Sequence, residues 1–339
     1  MIYYRLPDTD TGFVIEPSQA PEQLSTIETL EGRHGFVVAP FRVSAETPIY
    51  LFSDEEQRTY KIPQKTMRET PGGQVKMAGM QEARIAYHAV FTLFHRQLIA
   101  GRFPKIVLAR RQRETVTGSY TLQELFENAC RMYPHCFVAL AEIPRQGVWF
   151  TATPEVLLQN TGSYWATMAL AGTMRKDDKH RWSRKNQQEQ QLVAQYIEEI
   201  LRSVADQVKQ SEPYTFMAGG LKHLRSDFRF ILKPQIEIAQ FLATLHPTPA
   251  VCGIPKQDTY NFITDNEPSP RKYYGGFMGP FQMNKATHLY VSLRCVNING
   301  RLFDFYAGGG LLPDSEEEME WEETVAKMEQ IKNVLFNHQ

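Results

Sequence analysis

Apolar residues recur at helical spacing in several segments of this chain. The pattern predicts a helix around residues 87–98, which Gly101 follows as a stop signal. A second helix is predicted over 122–132. A third is predicted over 184–206, where one apolar stripe runs without a break from Leu192 to Val204. A last amphipathic helix is predicted from about Glu317 to Phe336.

Short runs of strand-forming residues separate these helices, at 35–38, 49–52, 105–110, 136–143, 148–153 and 164–170. From Leu289 to Cys295, apolar and polar residues alternate. The Asn299-Gly300 pair then predicts a turn, after which Leu302–Tyr306 returns antiparallel. Because strands outnumber helices and follow one another like hairpins, the pattern predicts an α+β fold with large antiparallel sheets.

The chain shows no internal repeat and no low-complexity segment. A polar stretch at 53–73, which contains Pro63 and Pro71, could be a linker or a long loop inside one domain. We expect a single catalytic domain over residues 1–339, in which residues 1–75 form a β-rich N-terminal part.

Composition excludes several classes of protein. The chain is 42% hydrophobic and carries a net charge of -1, which gives no electrostatic reason to expect nucleic acid or a membrane surface as a partner. Its four cysteines show no CxxC spacing and are typical of reduced core thiols. The N-terminus turns polar early, and no apolar run is long enough to span a membrane. We therefore expect a soluble, cytoplasmic protein.

Carboxylates occupy positions where the apolar pattern predicts burial. Glu189 lies one turn before Leu192, so it extends the buried stripe of its helix. Glu320, Glu323 and Lys327 follow i, i+3, i+7 spacing on the last helix. Two carboxylates and an ammonium on one stripe could hold a hard cation and an anionic substrate together. Acidic residues in a first helical turn are also favoured by the helix dipole alone, so a solvated role stays open.

Two further signals concern anion binding and proton transfer. Folding back at the Asn-Gly turn puts Arg294 roughly opposite Phe305, just before the glycine run Ala307–Gly310. This combination predicts a carboxylate site, although a glycine run can be an ordinary turn. Lys105 opens an apolar strand and Glu155 ends another, where either can be an ordinary strand-end charge. Each of these signals alone is weak evidence for an active site, but their combination is not.

Ten short strings follow one another along the chain. They are FPKIVLAR at 103–110, TPEVLL at 153–158, LAGTMR at 170–175, EQQLV at 189–193, LKHL at 221–224, LHPTPAVCGIP at 245–255, RKYYGGFMG at 271–279, YVSLRC at 290–295, FYAGGGLLPDS at 305–315 and EWEETVAK at 320–327. In this order they resemble the chorismate-utilising family of isochorismate, salicylate, anthranilate and aminodeoxychorismate synthases. The resemblance covers about residues 80–330. It implies one α+β unit of two large antiparallel sheets packed face to face, with helices outside.

The resemblance carries roles onto individual positions. Lys105 matches the general base that activates water, and Glu155 matches the general acid. Glu189 and Glu323 match magnesium-binding glutamates, with Glu320 beside them. Positions that match substrate-holding or pocket-lining residues of the family are Gly172, Thr173, His223, Ala250, Tyr274, Arg294, Gly308, Gly310 and Lys327.

Proton transfer sets conditions on two of these positions. A base and an acid are needed on opposite sides of the ring. A lysine must be neutral to accept a proton, and burial would keep Glu155 protonated so that it can donate one. The chain also departs from many relatives, because Gln190 follows Glu189 where they have histidine. Any role of that histidine is therefore absent.

Within the family the chain resembles isochorismate synthases. Ammonia-using members lack the LHPTPA string at 245–250, and salicylate synthases tend to carry Thr where this chain has Ala250. The resemblance implies a Mg²⁺-dependent conversion of chorismate to isochorismate, with water added at C2 and the C4 hydroxyl lost, for menaquinone or siderophore biosynthesis. A salicylate synthase, which also eliminates pyruvate, and a catalytically silent chorismate-binding protein are the alternatives. We expect a monomer without a glutaminase subunit.

Overall fold

The computed structural model describes residues 1–64, 75–76 and 79–336. Its helices are α1 (Met80–Ile99), α2 (Leu122–Met132), α3 (Arg184–Val204), α4 (Ile238–Leu245), α5 (Lys256–Asn266) and α6 (Glu317–Phe336), with a 3-10 turn at Glu28–Leu30. Its strands are β1 (Ile2–Arg5), β2 (Thr11–Ile15), β3 (Glu22–Leu24), β4 (Gly35–Ala39), β5 (Ile49–Phe52), β6 (Gln57–Lys61), β7 (Val75–Lys76), β8 (Lys105–Val116), β9 (Phe137–Ile143), β10 (Gly147–Thr153), β11 (Val156–Thr161), β12 (Tyr164–Arg175), β13 (Ala205–Gln210), β14 (Tyr214–Ala218), β15 (Leu221–Leu232), β16 (Gly253–Ile254), β17 (Phe277–Phe281), β18 (His288–Val291), β19 (Cys295–Asn299) and β20 (Leu302–Leu311).

The strands form two sheets. The first sheet has the order β16-β8-β20-β19-β10-β9-β1-β2-β6, and β7 also pairs with β8. The second sheet has the order β13-β15-β12-β11-β18-β17-β4-β5-β3, and β14 also pairs with β15. In the described part of the chain, these strands pair antiparallel. The N-terminal strands β1 to β6 therefore belong to the same two sheets as the rest of the chain.

Alternating side chains build the layers. In β9, Phe137 and Ala139 face the cluster between the sheets, whereas Val138 and Leu140 face the cluster under α2 and α6. In β4, likewise, Phe36 and Val38 point between the sheets and Val37 and Ala39 point to the cluster under α3 and α4. Successive residues of a strand point to opposite faces, so a strand that is apolar on both faces lies in an inner layer. The two sheets are thus packed face to face, with helices outside both.

The helices begin and end where their sequence signals stand. α2 starts at a capping box, in which Thr121 and Glu124 satisfy each other's backbone N–H groups. α3 starts after Ser183, whose hydroxyl accepts from the Asn186 amide. The helices predicted over 122–132 and from Glu317 to Phe336 are confirmed with those bounds, and the predicted α+β fold is confirmed.

Three expectations need correction. The segment 53–73 is not simply a linker, because β6 lies in it and pairs with β2; residues 65–73 lie outside the described residues. The alternating run from Leu289 to Cys295 is two strands in different sheets rather than one. The hairpin register pairs Phe305 with Val296 instead of Arg294, because Asn299 pairs with Leu302 and the turn is therefore centred on Gly300 and Arg301, one residue later than predicted. Among the described residues, no helix is long and apolar enough to cross a membrane. The single-domain expectation stays a prediction.

Candidate active site

A cavity opens where the chain twice crosses between the sheets. Glu155 lies between β10 of the first sheet and β11 of the second, and Arg294 lies between β18 of the second sheet and β19 of the first. The Thr151 hydroxyl donates to the Leu293 carbonyl at 2.6 Å, and the Val291 amide donates to the Glu155 carbonyl at 3.0 Å. These bonds hold the two crossings side by side, which brings a carboxyl group and a guanidinium to one cavity.

Most residues singled out in the sequence line this cavity, which holds about 700 Å³ of empty space including its open mouth. Those that line it are Glu155, Gly172, Thr173, Glu189, His223, Ala250, Tyr274, Arg294, Gly308, Gly310, Glu323 and Lys327. Lys105 and Glu320 are not on the lining surface, but both are buried against it. Residues that sequence reasoning did not single out, such as Val107, Leu170 and Tyr306, also line it. They are ordinary apolar strand positions, so no signal set them apart.

Lys105 and Glu155 are two almost completely buried ionisable groups at the cavity. Lys105 has no exposed surface, and its Nζ lies 3.2 Å from Glu189 Oε1. It is placed there because Lys105 and Val107 share one face of β8, the face that points to the cavity. Burial raises the pKa of Glu155 to about 8, although the positive charges of Lys105 and Lys327 oppose this shift. Glu155 is therefore a protonated acid at neutral pH.

Three carboxylates from two helices are each paired with a lysine. Besides the Lys105–Glu189 pair, Lys185 Nζ lies 2.5 Å from Glu320 Oε1 and Lys327 Nζ lies 2.7 Å from Glu323 Oε1. Burial, followed by the charge of nearby Glu323, raises the pKa of Glu320 to about 7, against the opposing charge of Lys185. Burial would also raise the pKa of Glu323, but Lys327 and Lys185 outweigh it and lower that pKa. In the described part of the chain, no three His, Cys, Asp or Glu side chains stand close enough to hold a metal ion as they are.

The glycine run is a strand, not a turn. Gly308 and Gly310 lie in β20, opposite Ala109 and Val107 of β8. A Cβ on Gly310 would overlap the Glu189 carboxylate and would lie 2.9 Å from Lys105 Cε. A Cβ on Gly308 would lie 3.0 Å from the Tyr274 hydroxyl. The run therefore leaves room for the carboxylate and phenol that enter the cavity, a close-approach role of glycine rather than a conformational one.

The other wall holds a guanidinium and an imidazole. Arg294 Nη2 lies 3.0 Å from His223 Nε2, and His223 Nδ1 lies 3.0 Å from the Gly172 carbonyl. Burial, followed by the charges of Arg294 and Lys327, lowers the pKa of His223 to about 3, so the ring is neutral. Arg294 Nη1 is buried and has no hydrogen-bond partner among the described residues. A buried guanidinium nitrogen without a partner is available to an anionic ligand.

Two positioning groups were missed by sequence reasoning. Arg271 is fully enclosed and donates to Glu267, to the Val251 carbonyl at 2.5 Å and to the Val107 carbonyl at 2.9 Å. It thus ties β8 to the loop that carries Ala250. The i, i+4 spacing of Glu267 and Arg271 was a usable signal. Lys185 was missed as well, although it stands one helical turn before Glu189 on the same face.

Comparison with known proteins gives the family. The family described as chorismate binding enzyme matches residues 27–336 of this chain. The chain belongs to this chorismate-binding family. The isochorismate synthase EntC of Escherichia coli (strain K12) is 28% identical over 245 residues, which are 69% of this chain and 63% of EntC. The match therefore spans less than two thirds of that relative's length.

Solved structures of the chorismate-binding family show the same fold. The menaquinone-specific isochorismate synthase MenF of Escherichia coli has a TM-score of 0.78 and 19% identity, covering 98% of this chain and 88% of MenF. Anthranilate synthase component I of Streptococcus pneumoniae has a TM-score of 0.71 and 16% identity, covering 94% of this chain and 82% of that one. At these identities the likeness establishes the fold alone.

Proposed function

We propose that this protein is an isochorismate synthase, which converts chorismate to isochorismate. The observation that carries the proposal is the buried acid Glu155, protonated at neutral pH, in the same cavity as the Lys105–Glu189 pair. Adding water at C2 of the ring and expelling the C4 hydroxyl needs a base for the water and an acid for the leaving group. The name of the relative EntC agrees with this activity.

Each of the two groups has one task. Lys105 acts in its neutral form, which takes a proton from the water that attacks C2. Glu155 gives a proton to the C4 hydroxyl, which leaves as water while the ring double bonds shift. Glu155 starts in the required form, because burial raises its pKa to about 8. Lys105 has no exposed surface and touches Glu189, so it is held in a fixed position from which bulk water is excluded.

Chorismate is a dianion, and the cavity has cationic groups for its carboxylates. Arg294 offers the unpartnered Nη1, and its Nη2 is oriented by neutral His223. Lys327 lines the same cavity and is fixed by the Gly308 carbonyl at 2.8 Å. We assign the substrate carboxylates to Arg294, Lys327 and Tyr274, with Gly172 and Thr173 bordering the ring. Charged donors in a buried site bind carboxylates strongly and give orientation.

Mg²⁺ fits the carboxylates of this cavity. A Cβ on Gly310 would overlap the Glu189 carboxylate, so the chain keeps space for that group beside the cavity, and Glu323 borders the same space. Mg²⁺ commonly takes only one or two protein carboxylates and completes its shell with water and substrate oxygens. We assign Glu189 and Glu323 as its ligands, with Glu320 beside them. Bound there, the ion would neutralise charge on a substrate carboxylate.

The product assignment rests on Ala250. This residue lines the cavity and has only a methyl group, so it cannot donate a hydrogen bond to hold isochorismate. Eliminating pyruvate, as a salicylate synthase does, requires the enolpyruvyl side chain to stay in one orientation. We therefore expect release after the first step.

The test is incubation of the purified protein with chorismate and Mg²⁺, followed by product chromatography and mass measurement. We expect a product with the mass of chorismate, and only a trace of pyruvate in an assay coupled to lactate dehydrogenase and NADH. Stoichiometric pyruvate together with fluorescent salicylate would assign the alternative, a salicylate synthase. No product at any Mg²⁺ concentration, with chorismate still bound, would assign a catalytically silent binding protein.

A further inference from the structure

Lys185 occupies an unusual position for a lysine. It lies in the first turn of α3, where the helix dipole disfavours a positive charge. Its side chain is only 20% exposed, although lysine is rarely buried without a specific partner. Its partner comes from a helix distant in sequence, because Nζ lies 2.5 Å from Glu320 Oε1 at the start of α6. The contact with Glu320 thus offsets two unfavourable effects on the Lys185 ammonium, its position at the positive end of the helix dipole and its desolvation.

The contact lies beside the two glutamates that we assign to the metal. Glu189 is four residues after Lys185 on the same helix, and Glu323 is three residues after Glu320 on the other. The ammonium of Lys185 is near enough to interact electrostatically with both Glu189 and Glu323 as well as with Glu320. Glu320 is 2% exposed and borders Gly309, so without Lys185 it would be a third carboxylate free to turn toward the same ion.

Resting on the function proposed above, we propose that Lys185 withholds Glu320 from the metal ion and so sets the affinity and selectivity of the site. Glu189 and Glu323 also have lysine partners, at 3.2 Å and 2.7 Å, but unlike Glu320 they line the cavity. With Glu320 held by Lys185, these two carboxylates remain for the ion, and coordination positions are left for water and a substrate carboxylate. Mg²⁺ suits such a sparse protein shell. A third free carboxylate would make a more anionic site with more protein oxygens, which favours tighter binding and favours Ca²⁺, whose shell takes 6–8 oxygens.

Lys185 would act through Glu320 and not on the substrate, so it is a positioning residue. A purely structural tie between α3 and α6 would give a different result on removal of the lysine. Without that tie, the helices that carry Glu189 and Glu323 would be held less firmly, and metal binding would weaken. The two explanations therefore predict changes of metal affinity in opposite directions.

The experiment measures metal binding without substrate. Mg²⁺ and Ca²⁺ are titrated separately into the full-length protein by isothermal calorimetry, for wild type, Lys185→Gln and Lys185→Arg. Arg184→Gln is the matched control, because it removes a neighbouring exposed charge from the same helix turn. Glu320→Gln and the double variant Lys185→Gln/Glu320→Gln close a double-mutant cycle, which isolates the coupling of the two side chains.

We expect Lys185→Gln to bind Mg²⁺ about tenfold more tightly than wild type. Its gain in affinity for Ca²⁺ should be larger still, because Ca²⁺ takes more oxygen ligands than Mg²⁺. Lys185→Arg and Arg184→Gln should stay within about twofold of wild type, since neither frees Glu320. In the Glu320→Gln background the lysine substitution should give a smaller gain, because it then removes only the repulsion between the Lys185 charge and the ion. With chorismate and Mg²⁺, Lys185→Gln should raise KM more than it lowers kcat, because Glu320 then competes with the substrate carboxylate.

Three results would overturn the proposal: weaker or unchanged metal binding by Lys185→Gln, an equal gain in Arg184→Gln, or an equally large gain in the Glu320→Gln background. If Lys185→Gln does not fold, the double variant Lys185→Gln/Glu320→Gln still decides, because the proposal requires that loss of the pair as a whole leaves the Mg²⁺ affinity near that of wild type. The identity of the product is measured separately. Failure of the isochorismate synthase assignment would therefore be seen there, whereas failure of the Lys185 proposal would be seen in the calorimetry.

Discussion

Arg294 Nη2 donates to His223 Nε2 across 3.0 Å, and this contact determines the tautomer of the imidazole. An arginine can only donate, so Nε2 is the acceptor and Nδ1 carries the proton that is donated to the Gly172 carbonyl at 3.0 Å. The histidine thus acts as a rigid spacer that orients the guanidinium. The spacer works only with a neutral ring, and the low pKa of His223, about 3, provides this.

Replacing His223 should therefore impair substrate binding more than turnover. We expect His223→Leu to raise KM for chorismate about tenfold or more through loss of an oriented charged donor, with a smaller drop in kcat. The KM of His223→Gln, whose amide oxygen can accept from Arg294, should lie between those of wild type and His223→Leu. Steady-state kinetics on the three proteins checks this. An unchanged KM with a lowered melting temperature would instead indicate a structural role.

The buried histidines should make stability depend on pH. Burial is the main cause that lowers the pKa values of His223 and His246 to about 3, from an ordinary value of 6.5. Between these values the unfolded chain binds a proton that the folded chain does not. The contribution of each histidine to the free energy of unfolding should then fall by about 2 kcal/mol from pH 7 to pH 5. Glu155 and Glu320 oppose this slope, because their raised pKa values stabilise the folded chain at lower pH. Urea unfolding of wild type and His246→Gln at several pH values isolates one histidine, because the stability of wild type relative to the variant should fall by about 2 kcal/mol from pH 7 to pH 5.

Glu155 should limit the reaction on the alkaline side. Its raised pKa of about 8 means that the proton it donates is present below that pH and lost above it. We expect kcat to fall as the pH rises through about 8. Glu155→Gln should lower kcat by about 10² or more, the usual scale for a proton-transfer group, and should remove this alkaline limb.

Lys105→Ala should lower kcat on the same scale. Both variants should still bind chorismate in equilibrium titrations, and wild-type rates in either would remove that residue from the mechanism.

The metal assignment predicts a separate pair of losses. Glu189→Gln and Glu323→Gln should each abolish Mg²⁺-dependent turnover while the far-UV circular dichroism stays that of wild type, because an amide is a much poorer ligand for a hard ion. EDTA should inactivate the wild type, and added Mg²⁺ should restore it. Near-wild-type turnover of Glu323→Gln at ordinary Mg²⁺ concentrations would contradict the assignment.

Arg271 should matter for stability first. Arg271→Met leaves Glu267 buried without its partner, which should cost about 3–5 kcal/mol in the free energy of unfolding. The double variant Arg271→Met/Glu267→Leu should recover part of this loss, because no charge is then left unpaired. Urea denaturation compares the three proteins. Additive losses in the double variant would show that the ion pair is not the source of the effect.

The sequence by itself determined the local structure and the kinds of group in the cavity. Helical periodicity set the bounds of α2 and α6, because apolar spacing and capping residues act within a few turns of chain. The same periodicity marked Glu189 as a carboxylate in a buried stripe, and it is 8% exposed. Lys105 was marked in the same way, since a charged residue that opens an apolar strand is conspicuous.

Only the tertiary structure decided which of these groups meet. The contacts of Lys105 with Glu189, of Arg294 with His223 and of Lys185 with Glu320 join residues 84, 71 and 135 positions apart. Such pairs depend on strand order and register, which no short-range pattern encodes. The run from Leu289 to Cys295 illustrates this, because its alternation of apolar and polar residues fits one continuous strand as well as it fits the two strands that form. The chain crosses from one sheet to the other at Arg294 because β18 pairs with β17 and β11 in one sheet, whereas β19 pairs with β20 and β10 in the other. Of these partners, β10 and β11 are distant in sequence.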